Sequence, residues 1–194
     1  MASGRTLVWY AAYGSNLARA RFSCYLRGGV PAGAHRANPG CRDSTPAGDV
    51  RPVTLPHRLY FAGTSRSWGG GGVAFLDPAL DPTAGTLGRA WLVTVEQLSD
   101  VLAQENGRRP PGPDLALDVL AAEGAVTLGP GPYEHLLAGG DIDGIPVATF
   151  TCARRLPATA PGPAYRDVIV TGLAESHGLT PDEARSYLDG RARR

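Results

Sequence analysis

The chain contains no lysine; all nineteen of its basic residues are arginines. Chemistry built on a lysine, such as an imine with a carbonyl substrate or the amine of a phosphate-binding loop, is thereby excluded. Cysteine is scarce as well. Cys24, Cys41 and Cys152 are odd in number and widely spaced, which argues against a disulfide framework and against a structural zinc site. Four histidines, His35, His57, His135 and His177, stand far apart and form neither a His-x-x-x-His pair nor a His-x-Glu followed by Cys-x-x-Cys. Neither a metal nor another cofactor is expected. No apolar run approaches the roughly 20 residues that crossing a bilayer requires, and the first strand comes too early for a secretion signal. A cytoplasmic protein without a membrane partner is expected. A net charge of +1 offers no surplus for a polyanion, and the arginines at positions 191, 193 and 194 are a thin basis for nucleic-acid binding.

What is present suits one domain spanning residues 1–194, since 43% of the residues are hydrophobic and no internal repeat is evident. Two stretches stand apart. Residues 30–56 form a long Pro/Gly/Arg-rich insertion with little periodicity, and 189–194 form a basic tail.

The most informative segment is Trp9-Tyr10-Ala11-Ala12-Tyr13-Gly14-Ser15-Asn16-Leu17. Leu7 to Ala12 predicts a strand buried on both faces, and Asn16 to Arg27 a helix ended by Gly28-Gly29. A small polar loop between them opens into a helix. Backbone N–H groups at a helix N-terminus lack partners and carry the positive end of the helix dipole, so the loop suits a carboxylate or a carbonyl oxygen. Gly14 permits close approach to the main chain, and Ser15 or Asn16 is placed to cap the helix.

Further strands are predicted at Arg58–Ala62, Val73–Leu76 and Leu87–Val93. Trp68-Gly69-Gly70-Gly71-Gly72 joins the first two of these, as a second pocket wall or as a plain flexible hairpin. Asp114 to Glu123 reads as a helix. Tyr133–Ala138 and Ile145–Cys152 read as a hairpin across a turn at Gly139–Gly144, whose acidic residues lack the spacing of a calcium loop. Tyr165–His177 is predicted as a helix closed by Gly178, and Thr180-Pro181-Asp182-Glu183 as a capping box opening a last helix to Leu188.

The helix after the third of those strands carries the sharpest chemical clue. Thr94-Val95-Glu96-Gln97 is a capping box, and Gly107 with Pro110-Pro111 stops the helix. At about 100° per residue, Leu98, Val101, Leu102 and Glu105 share one face, while Glu96 and Asp100 point the other way. A carboxylate thus stands where a core residue is expected. Desolvation and the negative helix end both raise the pKa of such a group, which suits a proton shuttle. The same pattern also fits a glutamate salt-bridged to Arg108 or Arg109.

These residues resemble the γ-glutamylcyclotransferase-like superfamily nearly end to end. The resemblance rests on Tyr13-Gly14-Ser15-Asn16-Leu17, matching the family's substrate loop, and on Gln104-Glu105, matching its helix-borne catalytic glutamate. Gly72-Val73-Ala74, Gly88-Arg89-Ala90-Trp91, Pro163-Ala164-Tyr165, Gly172, Gly178-Leu179 and Tyr187 complete it. The insertion and the Ser67-Trp68-Gly69-Gly70 loop look most like an actinobacterial branch whose members often carry a histone deacetylase label. A zinc deacetylase needs an Asp/His metal set, and this chain has no matching motif.

The resemblance implies an α+β fold, a small mixed β-barrel or strongly curved sheet of about six strands with flanking helices. It implies cleavage of a γ-glutamyl amide by the substrate's own α-amino group, releasing 5-oxoproline and an amine, with Glu105 as general base and then general acid. Tyr13, Gly14, Ser15, Asn16 and Leu17 would bind the small-molecule substrate by its α-carboxylate or its developing oxyanion, with Trp68 and Gly70 beside them. The family places an aromatic residue soon after the glutamate, whereas Asn106-Gly107-Arg108-Arg109-Pro110-Pro111 follows here, so the acceptor side differs and glutathione is not implied. Three other readings stand beside this one: a γ-glutamyl amine acyltransferase or amidohydrolase on the same scaffold, a non-catalytic small-molecule binding module, and a cysteine hydrolase using Cys24 or Cys152.

Overall fold

The computed structural model describes residues 5–192, and among them eight strands divide between a six-stranded mixed sheet and a two-stranded one. The elements are β1 (Leu7–Ala12), a 3-10 turn (Ser15–Leu17), α1 (Arg19–Arg27), β2 (Val50–Leu55), β3 (His57–Ala62), β4 (Val73–Leu80) and β5 (Thr86–Thr94). They continue as α2 (Val95–Glu105), α3 (Leu117–Glu123), β6 (Ala125–Thr127), β7 (His135–Ile142), β8 (Ile145–Thr151), α4 (Pro163–His177) and α5 (Pro181–Ala192).

The large sheet runs β2-β5-β1-β8-β7-β6, with β1 antiparallel to β5 and parallel to β8. It is open rather than closed: β2 and β6 are its edges, so the barrel alternative gives way to an open mixed sheet of six strands. Strand β1 lies near the middle, and its side chains alternate between two cores. Val8, Tyr10 and Ala12 pack with Phe22, Tyr25, Leu98 and Leu102 of α1 and α2, whereas Trp9, Ala11 and Tyr13 pack with Ile169, Leu173 and Leu188 of α4 and α5. Period-two alternation into apolar surroundings on both sides is what makes this run wholly apolar.

The β3-β4 hairpin is fastened to the large sheet by two threonine hydroxyls. Thr86 Oγ1 of β5 accepts from the Leu59 amide (3.2 Å) and donates to the His57 carbonyl (2.6 Å). Thr151 Oγ1 of β8 accepts from the Leu76 amide (3.0 Å) and donates to the Leu76 carbonyl (2.6 Å). Both threonines are fully buried. Each replaces a missing strand partner for a backbone donor and a backbone acceptor, which buried main chain requires.

Helix boundaries follow the capping signals. At α2 the Gln97 amide donates to Thr94 Oγ1 (3.1 Å) while Thr94 N donates to Gln97 Oε1 (3.0 Å). At α5 Glu183 and Thr180 make the same reciprocal pair. Several expectations are corrected. The connection 30–56 contains β2, whose Pro52 sits on an edge strand where a missing donor costs nothing. The hairpin turn is only Asp143-Gly144, with φ of 53° and 76°, and Gly139-Gly140 fall inside β7 at a bulge. Short strand β6 follows α3 directly. Helix α5 passes Leu188 and runs to Ala192, and Arg191 donates to the carbonyls of Ala84 and Gly85. Arg193 and Arg194 of the expected basic tail lie outside the described residues. No helix among the described residues is long and apolar enough to cross a membrane.

Candidate active site

The end of β1, the 3-10 turn, α1 and the last turn of α2 meet around one carboxylate. Glu105 turns inward beneath the loop, and Asn16 Nδ2 donates to its Oε1 at 2.7 Å. The same Nδ2 donates to the Tyr10 hydroxyl (3.1 Å). Asn16 therefore does not cap α1, and neither does Ser15: the N-cap is Ala18, with no side-chain bond. The loop closes first into its own turn, Leu17 N to Gly14 O (3.0 Å), which frees the asparagine amide for the carboxylate.

Burial pushes the Glu105 carboxyl above its ordinary range, and three neighbours oppose that rise: the Arg21 guanidinium most strongly, then hydrogen bonds from Tyr25 and Asn16. The cation facing Glu105 is thus Arg21, not Arg108 or Arg109. Arg108 is exposed and its guanidinium bonds the Pro130 carbonyl. Arg21 is buried, at 7% exposure. Its Nη2 donates to the Tyr25 hydroxyl (2.8 Å), its Nη1 donates to Asn38 Oδ1 (2.7 Å), and its Cζ lies 4.2 Å from the centroid of the Tyr25 ring. Burial also raises the hydroxyls of Tyr10 and Tyr25 well above their usual range, so both are neutral beside the carboxylate.

The backbone of the loop is oriented from behind. The Trp91 indole donates to the Asn16 carbonyl (3.0 Å), and Arg89 Nη1 donates to the Leu17 carbonyl (2.7 Å) and to Glu175 Oε2 (2.6 Å). That carboxylate accepts from the Arg19 amide (2.9 Å), which replaces a cap for α1. A Cβ on Gly14 would stand 2.9 Å from the Tyr165 hydroxyl, so the glycine lets the strand end approach α4. Gly172 of α4 serves the reverse approach, against Leu17 and Ala18.

Not every residue singled out from sequence comes to this carboxylate. Ser15 and Leu17 are buried in the turn, and Tyr13 Oη donates to the Phe150 carbonyl (2.6 Å), pointing into the sheet. Trp68 reaches the cluster indirectly, 5.9 Å from the Tyr165 ring and 5.8 Å from the Arg21 guanidinium. Gly70 bonds Ser65, with its carbonyl beside Gly162. The thiols have other partners. Cys24 Sγ donates to the Ala20 carbonyl and Cys152 Sγ to Glu134 Oε1, while burial pushes the Cys41 thiol up to about 12. Arg21 and Tyr25 escaped the sequence reading, although Arg21 stands one residue before Phe22 and four before Tyr25 on the buried face of α1.

Asp100 is a further correction. Expected on the outer face of α2, it is fully buried and accepts from the amides of Arg42 (2.9 Å) and Gly112 (3.2 Å). Segment 38–48 covers that face, so α2 is enclosed on all sides from Gln97 to Gln104.

The architecture is a γ-glutamyl cyclotransferase-like fold. A solved structure described as a gamma-glutamyl cyclotransferase superposes with a TM-score of 0.52 at 20% identity, covering 93% of this chain and 85% of the other. An uncharacterized human protein superposes with a TM-score of 0.53 at 18% identity, with the same coverage. A curated relative is Histone deacetylase 5 of Arabidopsis thaliana, 35% identical over 199 residues, spanning 94% of this chain but 30% of that protein. No protein-family model matches the sequence. The zinc site that a deacetylase name suggests does not fit the donors present: among the described residues no three His, Cys, Asp or Glu side chains stand close enough to hold a metal ion.

Proposed function

We propose that the chain is an enzyme that cleaves a γ-glutamyl amide by intramolecular attack of the substrate's α-amino group, releasing 5-oxoproline and an amine. The observation that supports this reading best is the 2.7 Å bond between Asn16 of the loop and the inward-facing Glu105 carboxylate. A γ-glutamyl compound carries its own nucleophile, so holding its two ends together makes the attack unimolecular, an effect worth roughly 7–11 kcal/mol. Two proton transfers remain. The α-ammonium gives up one proton to solvent through Glu105, the freed amine attacks the γ-carbonyl, and Glu105 then takes the second proton from the attacking nitrogen and delivers it to the leaving amine as the C–N bond breaks and the carbonyl re-forms. One carboxylate serves both steps because burial brings its pKa closer to neutrality while Arg21, Tyr25 and Asn16 keep it able to ionise.

The γ-carbonyl oxygen gains charge during attack, and the loop's backbone amides are the donors proposed to meet it; Leu17 N is already engaged by Gly14 O. The neutral Tyr25 hydroxyl donates to the carboxylate, and the Tyr10 hydroxyl accepts from Asn16 Nδ2 and so steadies the asparagine that also bonds the carboxylate. No cofactor enters the scheme, and the substrate is a small molecule taken up by a protein of the cytoplasm.

The test is a panel of γ-glutamyl peptides and amines assayed for 5-oxoproline with wild type and Glu105→Gln. Cyclic product from wild type, reduced about 10²–10⁴-fold in the variant, is the expected outcome. Open glutamate as the product would indicate an amidohydrolase, and transfer of the glutamyl group to an added amine an acyltransferase. Ligand binding without turnover would indicate a binding module.

A further inference from the structure

Two polar atoms beside Glu105 are buried without a partner: Asn16 Oδ1 and Arg21 Nε. Their residues are 3% and 7% exposed, so both atoms are withdrawn from bulk water. Every other polar atom on these two side chains has work elsewhere: Asn16 Nδ2 serves Glu105 and Tyr10, Arg21 Nη2 serves Tyr25, and Nη1 serves Asn38. Leaving a buried donor and a buried acceptor unmet is costly, so a pair of them at a candidate active site calls for a partner, which a bound ligand supplies. The two orphans are of opposite kind. One is a carbonyl oxygen next to a carboxylate, which suits an ammonium; the other is a guanidinium N–H, which suits a carboxylate.

We infer that Asn16 Oδ1 and Arg21 Nε form the two halves of a subsite for a zwitterionic α-amino acid head group, making Arg21 the residue that requires a free α-carboxylate. The inference rests on the γ-glutamyl reading and narrows it to substrates whose α-carboxyl is unsubstituted. The ammonium donates to Asn16 Oδ1 and Glu105 together, which aims the proton that Glu105 removes. The carboxylate accepts from Arg21 Nε–H while Tyr25 and Asn38 hold the rest of the guanidinium, so the fork is fixed before substrate arrives. The cation–π contact with Tyr25, 4.2 Å from Cζ to the ring centroid, limits its rotation further. No proton is transferred to or from Arg21, which stays cationic throughout.

The experiment compares γ-(N-butyl)-L-glutamine with its α-carboxamide on wild type, Arg21→Met and Arg21→Lys. Affinity is read calorimetrically, or as KM where the compound is turned over, and 5-oxoproline formation is followed in parallel. Wild type is expected to prefer the free acid by at least about tenfold, the value of one charge-assisted bond. Arg21→Met should erase the preference by weakening the acid alone, and Arg21→Lys, which keeps a cation but lacks the Nε–H, should fall between. Equal affinity of wild type for both compounds, or no binding of either at millimolar concentration, overturns the inference, as does an undiminished preference in Arg21→Met. If Arg21→Met fails to fold by circular dichroism, the wild-type preference and Arg21→Lys decide. A preference dependent on Arg21 without any cyclic product leaves the subsite standing and removes the proposed reaction; cyclic product without preference does the opposite.

Discussion

Glu105 is half-buried with its carboxylate turned inward, and the influences on its two protonation states conflict. Burial favours the neutral acid, and Arg21 opposes it. The folded protein therefore holds this proton more tightly than the unfolded chain does. The contribution to stability is fully present below the unfolded pKa and is lost as pH rises through the raised folded value. Glu105→Gln, which mimics the protonated form, should accordingly melt at the same or a higher temperature than wild type at pH 8, with the difference shrinking toward pH 4; thermal melts across that range check it. Activity runs the other way. Base catalysis requires the ionised form, so under the proposed mechanism kcat/KM should climb with pH through a midpoint above the ordinary carboxylate range, and Glu105→Gln should lack that limb. Much of this residue's setting was legible in the sequence, because a helical wheel places position 105 with Leu98, Val101 and Leu102. Its partners were less so. Asn16 was read as a cap and Arg108 or Arg109 as the counter-charge, since sequence spacing favours near neighbours. The residues that face Glu105 arrive instead from α1 and the 3-10 turn, some 80 to 90 positions away along the chain.

At the level of elements, signals local to the chain were readable and signals that depend on a partner strand were not. Capping boxes at Thr94 and Thr180 mark helix starts, and the glycine stops at Gly124 and Gly178 mark helix ends, that stand where the sequence places them, although α3 begins at Leu117 rather than Asp114. Strands β2 and β6 were missed because each is an edge, short or interrupted by proline, and each is ordered by its neighbour rather than by its own periodicity. The β3-β4 hairpin is a sharper case of the same dependence. Its link to β5 and β8 uses hydroxyl groups where strands normally use their own amides. Valine fits the volume of threonine but satisfies neither backbone group. Thr86→Val and Thr151→Val should therefore each destabilise the protein by about 1–3 kcal/mol, measurable as a lower urea midpoint at unchanged m value. Ser replacements, which keep the hydroxyl, should recover most of that loss. Packing between α4 and the 3-10 turn is equally specific: a Cβ at position 172 would stand 2.4 Å from Leu17 Cβ. Gly172→Ala should cost about 1–3 kcal/mol by overpacking, and its displacement of the loop should lower kcat/KM beyond what the loss of folded protein explains.

Across the whole molecule, the long connection between α1 and β2 acts as a strap over α2 rather than as a loose surface loop. Three polar side chains of α2 hold it. Gln97 Nε2 donates to the carbonyls of Asp43 (3.1 Å) and Thr45 (3.0 Å), Gln104 Oε1 accepts from the Gly40 amide (3.3 Å), and Asp100 accepts from the Arg42 amide (2.9 Å). The ion pair between Asp100 and Arg42 contributes less than the amide bonds, because the Arg42 side chain is 53% exposed and water competes for it. Removing Asp100 leaves the amides of Arg42 and Gly112 without their acceptor, which should cost about 1–3 kcal/mol, whereas added salt should change wild-type stability little. The strap also carries Asn38, whose Oδ1 fixes Arg21 at 2.7 Å and whose amide and carbonyl pair with Gly29. Loosening the strap at Asp100 should thus reach the site through Asn38 and Arg21, with no change to Glu105 or its loop. Hydrogen exchange of Asp100→Ala gives the check. Amides of Asn38, Gly40 and Arg42 should exchange faster while those of β1 retain the protection set by global unfolding. Unchanged protection in the strap would mean that Gln97 and Gln104 hold it without the aspartate, and Arg21 would then keep its orientation in the variant.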